Sequence, residues 1–75
     1  MSDDELKEDL VDYFKKVKDT KFIPFFDYVS FSLDKKVLTI TCPSFIESKI
    51  KKNYQTNIEN YLKMNFDDEI SLKYV

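Results

Sequence analysis

Apolar and polar residues alternate between Val29 and Cys42, and a polar segment at residues 34–36 divides this run in two. A period of two places the apolar residues on one face of a β-strand. Both halves are rich in β-branched and aromatic residues, which favour strands. The run therefore predicts a β-hairpin. Because its turn lacks glycine, the hairpin needs either a three-residue loop or a non-glycine residue in the left-handed region.

Two helices are predicted before the hairpin. Apolar residues recur with helical spacing over about 3–18, and Ser2 with Glu5 has the spacing of a capping box. Acidic residues in the first turn and lysines in the last turn suit the helix dipole. A second, short helix follows from a cap at residue 19 or 20, with Pro24 tolerated in its first turn.

The longest helix is predicted at about 44–63, directly after Pro43 and the second strand. Asn65 is suited to a left-handed helix terminator. Apolar and polar residues then alternate again over 70–75, which predicts a third strand. Because a helix separates the second and third strands, we expect the third strand to pair in parallel with one strand of the hairpin through a right-handed crossover. The predicted fold class is α+β, with the order α-α-β-β-α-β and helices packed against a three-stranded sheet.

The composition limits the chemistry that the chain can perform. It has 75 residues, 43% of them hydrophobic, which suits a single domain at residues 1–75 with one compact core. It contains no His, no Arg and no Gly, and one Cys. A Ser-His or Cys-His nucleophile, a structural zinc site and an internal disulfide are therefore excluded. We expect no enzyme, no metal and no cofactor. The apolar runs are also shorter than the roughly 20 residues that span a bilayer.

Several candidate chemical groups have ordinary structural interpretations. Cys42 falls on the inward side of a strand, where a lone cysteine is usually a small core residue. The acidic run at residues 67–69 lacks the spaced oxygen ligands of a calcium loop, and a solvated turn is expected there. Helix-end electrostatics explains the acids of the first helix.

Lysines offer one alternative function. Lys35 and Lys36 in the hairpin turn, with Lys49, Lys51 and Lys52 on the long helix, could form a basic patch for single-stranded nucleic acid. The net charge of −2 gives no overall attraction to nucleic acid, and the chain lacks the glycine-rich clamp that some nucleic-acid-binding modules use. A lysine face that only confers solubility is the simpler interpretation.

The aromatic residues are more informative about function. Phe25 and Phe26 are adjacent on the short second helix, and Phe45 lies at the start of the long helix. Their spacing predicts that at least one is at the surface, where a phenylalanine flanked by polar groups is typical of a protein-docking anchor. The alternative is that all three lie in the core.

Three motifs, in this order, resemble the N-terminal domain (domain I) of the bacterial replication initiator DnaA. In that family a short helix carries F-x-x-W-[IL], here FIPFF at residues 22–26. A strand then runs into [AV]-P-N-x-F, here LTITCPSF at 38–45, one residue shorter between Pro and Phe. A helix with W/I-x-x-x-Y-x-x-x-I follows, here IKKNYQTNI at 50–58. The family pattern also has an N-terminal amphipathic helix and a last strand, so the resemblance covers essentially the whole chain.

The resemblance implies a KH-like fold without the nucleic-acid clamp. It also implies a cytoplasmic protein-docking module that self-associates, recruits the replicative helicase DnaB and binds regulators of replication initiation. A complete initiator has further domains that bind ATP and DNA. The resemblance therefore implies that the 75 residues are one domain excised from a longer chain, with no cofactor of its own.

The resemblance also implies site residues. Phe45 would contact the helicase or a regulator, with Ser44 and Ile46 beside it on the regulator surface. Phe25 stands where the family has Trp, and Lys21 occupies a helicase-contacting place that is often acidic in the family.

For self-association, the resemblance implies the first helix. Leu6 and Leu10 lie on that helix, and Leu6 stands where an early Trp is common in the family. A weak homodimer through these two leucines is therefore expected.

Overall fold

Helix α1 spans Asp3–Lys16 in the computed structural model, which describes residues 2–66 and 69–75. The predicted capping box is confirmed. The Glu5 N–H donates to Ser2 Oγ at 3.2 Å, and Ser2 Oγ donates to Glu5 Oε1 at 3.2 Å. The first bond satisfies a backbone N–H that the first turn of a helix leaves without a partner, and the second joins the two side chains of the box.

Helix α1 ends two residues before the predicted position, in a Schellman motif. Lys18 has a φ of 61°, the Lys18 N–H donates to the Lys15 carbonyl at 3.1 Å, and the Asp19 N–H donates to the Phe14 carbonyl at 2.9 Å. Glycine usually occupies the left-handed position of this motif because it has no Cβ. In a chain without glycine a lysine takes the place.

The predicted second helix is present as a 3₁₀ helix at Thr20–Tyr28. Residues three apart in such a helix lie above one another. Phe22 and Phe25 accordingly stack, with ring centroids 6.2 Å apart and an interplanar angle of 26°. Asp19 makes no side-chain cap to this helix, and instead its Oδ2 accepts a 2.7 Å hydrogen bond from Asn57 Nδ2.

The hairpin is confirmed, with β1 at Ser30–Asp34 and β2 at Val37–Thr41. Asp34 pairs with Val37, so the loop has only two residues, Lys35 and Lys36. Lys35 has a φ of 55°. Of the two predicted alternatives, the structure therefore has the non-glycine left-handed residue.

The third strand, β3 (Ser71–Tyr74), pairs in parallel with β2, as predicted. The strand order is β1-β2-β3, which gives an α+β fold with a mixed three-stranded sheet. Inward residues of the sheet, such as Phe31, Leu38 and Ile40, are buried against the helices. Ser and Thr residues between them face outward.

The long helix is continuous but not uniform. It consists of α2 (Ser44–Lys49), one π-helical turn (Ile50–Tyr54) and α3 (Gln55–Asn65). Asn65 is not the predicted left-handed terminator. It is the last helical residue, its Nδ2 donates to the Tyr61 carbonyl at 2.9 Å, and the next residue is extended. The side chain thus bonds back to the carbonyl four residues earlier, within its own helix.

One hydrophobic cluster joins all these elements in the described residues. An aromatic group lies at its centre: Phe22 stacks on Tyr54 at 4.5 Å and packs 5.4 Å from Phe14. Burial of each large apolar side chain contributes about 1.5–3 kcal/mol. The buried residues are Leu6, Leu10, Phe14, Phe22, Phe26, Val29, Phe31, Leu38, Ile40, Ile46, Ile50, Tyr54, Ile58, Tyr61 and Leu62.

Candidate functional site

The π turn determines which residues of the long helix face the core. Ile46, Ile50, Tyr54 and Ile58 are spaced by four, and all are buried. In an ideal α-helix each step of four drifts by about 40°, so the stripe would rotate by about 120° over this length. The π turn, in which the Gln55 N–H donates to the Ile50 carbonyl, takes up the extra rotation. The stripe therefore stays on one side of the helix.

The residues that directly follow the first three members of this stripe, at positions 47, 51 and 55, lie on the side of the helix toward the last strand. Glu47 and Lys51 form an ion pair at 3.1 Å, and Lys51 Nζ lies 4.8 Å from the ring centroid of Tyr74. Gln55, one turn later, accepts a hydrogen bond from the Tyr74 hydroxyl at 2.8 Å. Lys51 and Gln55 thus anchor β3 to the helix, and Glu47 is paired with Lys51.

The residues that directly precede members of the stripe, such as those at positions 49 and 57, lie on the side of the helix toward the 3₁₀ helix. Lys49 Nζ lies 5.9 Å from the ring centroid of Phe25, and Asn57 makes the hydrogen bond to Asp19 described above. Phe45 is four residues before Lys49, so it lies on the same side of the helix. The period-four packing therefore directs Phe45 toward the side of the domain that carries Phe25.

Phe45 is the exposed aromatic residue at this side, with 61% of its surface accessible. Phe25 is half-buried and is held in place because it stacks on Phe22, which in turn stacks on Tyr54. Lys49 adds a positive charge next to Phe25, and Ser44 is exposed before Phe45. We call Phe25, Ser44, Phe45 and Lys49 the docking face. It combines one exposed ring with one fixed ring and a polar rim.

Three residues that the sequence assigned to contact surfaces are buried. Ile46 has no exposed surface because it begins the inward stripe of the long helix, so it does not belong to the docking face. Leu6 and Leu10 are also buried, because their side of α1 packs on β1 and the 3₁₀ helix. The assignment of self-association to these two leucines is therefore corrected. Lys21 is exposed on the 3₁₀ helix, as a contact residue must be.

The five lysines of the predicted basic patch do not lie together. Lys35 and Lys36 are in the hairpin turn, before β2, whereas Lys49 follows β2 on α2. The five residues of β2 rise by about 3.3 Å each, which separates the two groups along the sheet. Lys51 is already paired with Glu47. This arrangement does not form a continuous groove for a nucleic-acid backbone.

Cys42 is half-buried against the core and forms no disulfide. Burial, and then the negative charge of Glu47, raise the pKa of its thiol above the usual value. The thiol is therefore protonated near neutral pH, which fits the predicted structural role because the thiolate is the reactive form.

Sequence reasoning missed one polar contact of the core. The Tyr61 hydroxyl donates to Asp9 Oδ2 at 3.1 Å and so joins α3 to α1 across 52 positions of sequence. Burial, together with the hydrogen bond and negative charge of Asp9, raises the pKa of Tyr61. The only signal in the sequence was a tyrosine within an apolar stripe, since a buried tyrosine hydroxyl usually has a partner.

The part of the chain that the structure describes has neither a metal-binding cluster nor a membrane-spanning helix. Within 2–66 and 69–75, no group of three or more Cys, Asp or Glu side chains is placed to hold a metal ion. No helix in those ranges is long and apolar enough to cross a membrane. The acidic run at 67–69 lies partly outside the described residues, at Asp67 and Asp68.

Comparisons with known proteins do not assign the chain to a family. No protein-family model, no curated protein and no solved structure matches the chain.

Proposed function

We propose that this chain is a non-catalytic protein-docking domain and that its docking face is the contact surface. The observation that carries the proposal is the exposure of Phe45, at 61%, on the side of the long helix that faces the anchored ring of Phe25. Burying one such side chain is worth about 1.5–3 kcal/mol, so a partner that covers it gains binding free energy. Exposed aromatic anchors with a polar rim are characteristic of protein-binding sites.

The face suits a weak and reversible contact. It has one exposed ring and one half-buried ring, and Lys49 lies at its edge. Encounters with a single anchor commonly bury less than about 1,200 Å² in total and dissociate readily. Lys49 and the exposed Lys21 would favour a partner with acidic residues around an apolar pocket.

The partner is proposed from the resemblance to domain I of DnaA. By that resemblance the domain acts in the cytoplasm during initiation of chromosome replication and recruits a DnaB-like replicative helicase or an initiation regulator. Phe45, Ser44 and Phe25 stand at contact positions of the family and lie on the docking face, which supports this assignment. Ile46 is left out because it is buried.

The proposal is tested with Phe45→Ala. We expect this variant to keep the free energy of unfolding within about 0.5 kcal/mol, because the residue is exposed. Its affinity for the replicative helicase of the same organism, measured by calorimetry, should fall at least tenfold. Met64→Ala is the matched control, since Met64 is 66% exposed at the far end of the long helix. Unchanged helicase binding by Phe45→Ala would refute the assignment of the face.

The alternative is a module that binds single-stranded nucleic acid through its lysines. It predicts binding that is measurable at low salt and collapses as salt rises. A fluorescence anisotropy titration with a labelled single-stranded oligonucleotide distinguishes the two functions. Because the lysines are split between two ends of β2, we expect no binding in this assay.

A further inference from the structure

A second feature of the surface is an open groove of about 540 Å³ between α1 and the 3₁₀ helix. Its floor is apolar and consists of Val11, Ile23 and Phe26. Ile23 and Phe26 are three residues apart, so both lie on the side of the 3₁₀ helix that faces α1. The groove is large enough to hold one aromatic side chain from another molecule.

The rim of the groove is acidic. Asp4, Glu8 and Asp12 line it from α1, and Asp27 lines it from the end of the 3₁₀ helix. Only two lysines, Lys7 and Lys15, line it as well, so the rim carries a net charge of −2. In the residues that the structure describes, these four carboxylates form no ion pair. Such a groove attracts a positively charged segment with an apolar anchor.

The docking face has the complementary chemistry. Phe45 is an exposed aromatic ring, and Lys49 and Lys52 follow it on the exposed side of the long helix. The two surfaces lie on different sides of the 3₁₀ helix within one chain. Phe22 and Phe25 face the long helix, whereas Ile23 and Phe26 face α1.

We propose that the groove binds the docking face of a second copy of this chain, with Phe45 over the apolar floor and Lys49 and Lys52 against Glu8 and Asp12. The proposal rests on the docking face of the proposed function and adds the groove as its second half. The contact joins two different surfaces, so a pair of copies still has one free face and one free groove. Association is therefore head-to-tail and extends to a ring or a short chain.

Head-to-tail contact has a consequence for partner binding. Because Phe45 serves both contacts, a copy whose docking face is seated in a neighbour's groove is closed to another protein partner. Self-association and partner docking therefore compete at the same residue, and a bound partner ends the growing chain of copies.

The experiment uses two variants, each defective on one surface. Glu8→Lys with Asp12→Lys reverses the charge of the groove, and Phe45→Ala with Lys49→Glu disables the face. Sedimentation velocity at low salt should show mass increasing with concentration for the wild type and a monomer for each variant alone. An equimolar mixture should form a species of twice the monomer mass and no larger one, because one intact groove meets one intact face.

Glu59→Lys is the matched control for charge reversal, since Glu59 is exposed on α3 away from the groove. It should associate as the wild type does. Raising the salt concentration from about 0.01 to 1 M shortens the Debye length from about 30 to 3 Å and should dissociate the wild type.

A wild type that stays monomeric at millimolar concentration would overturn the inference, as would a mixture of the two variants that stays monomeric. Either result leaves the helicase test of Phe45→Ala unaffected. If Phe45→Ala binds helicase normally but fails to associate, the assignment of the docking face to the helicase is refuted and the contact between copies stands.

Discussion

The Tyr74 hydroxyl donates to Gln55 Oε1 at 2.8 Å, and this bond joins the last strand to the long helix. Burial first, and then the negative charges of Cys42, Glu47 and Glu59, raise the pKa of Tyr74 to about 12. The folded state thus holds this proton more tightly than the unfolded state, whose tyrosine has a pKa near 10. The resulting stabilisation is complete below about pH 10 and is lost as the pH rises toward 12.

Between pH 9 and about 11.5 the free energy of unfolding of the wild type should fall. We expect a smaller fall for Tyr74→Phe, which lacks the titrating hydroxyl. At pH 7 the variant should lose about 0.5–1.5 kcal/mol, the usual contribution of one hydrogen bond. Urea denaturation at a series of pH values measures both effects. Tyr28→Phe is the control because Tyr28 is 65% exposed, and equal alkaline slopes for all three proteins would contradict the prediction.

The neighbours Phe45 and Ile46 should differ sharply when truncated. Ile46 is fully buried, so Ile46→Ala should lower the free energy of unfolding by about 2–5 kcal/mol. Phe45→Ala removes an exposed ring and should change it by no more than about 0.5 kcal/mol. Chemical denaturation measures the free energy of unfolding of the two variants. If both lost a similar amount, the helix would be rotated from the described position.

The π turn should be essential to the docking face. Deleting Asn53, which is exposed within the turn, removes the extra residue and rotates Ile46 by about 100° relative to α3. We expect the deletion to destabilise the fold far more than Asn53→Ala, which keeps the residue count. Thermal unfolding measures the difference. A deletion variant as stable as Asn53→Ala would show that the turn can regularise without cost.

Glycine should stabilise the two left-handed positions. Lys18 has a φ of 61° and Lys35 a φ of 55°, and a left-handed residue with a Cβ costs roughly 1–2 kcal/mol. Part of that gain is lost to the greater freedom of glycine in the unfolded chain, so Lys18→Gly and Lys35→Gly should each add about 0.5–1 kcal/mol. Urea denaturation tests this, with Lys36→Gly as the control. A loss of stability in Lys35→Gly would contradict the described turn.

The fold class was predictable because the hydrophobic period changes with each element. Alternation over 29–42 marked the hairpin, and a helix between the second and third strands required the parallel pairing that the structure has. The π turn was harder to foresee, since apolar residues spaced by four also suit an ordinary helix. The signal was their strict spacing from Ile46 to Ile58, which an ideal α-helix cannot keep on one face.

The site was predictable only in part. The exposure of Phe45 followed from its position before the inward stripe, but Ile46, Leu6 and Leu10 were assigned to surfaces by resemblance while their own periodicity placed them inward. The contact of Tyr61 with Asp9 spans 52 positions, and no local pattern encodes such a pairing. The acidic groove depends likewise on how two helices pack, which neither helix shows alone.

The end of β3 has a practical consequence for anyone who attaches something to this domain. The Cys42 N–H donates to the Val75 carbonyl at 3.3 Å, and the Val75 N–H donates to the Ile40 carbonyl at 2.9 Å. Residue 75 is therefore fixed beside the strand end from which the chain enters α2 and reaches Phe45. A fluorophore joined there would sense whatever covers the phenylalanine, whereas a bulky purification tag at the same point would shield it from partners. A short tether from this position would also hold a fused ligand at high local concentration over the docking face.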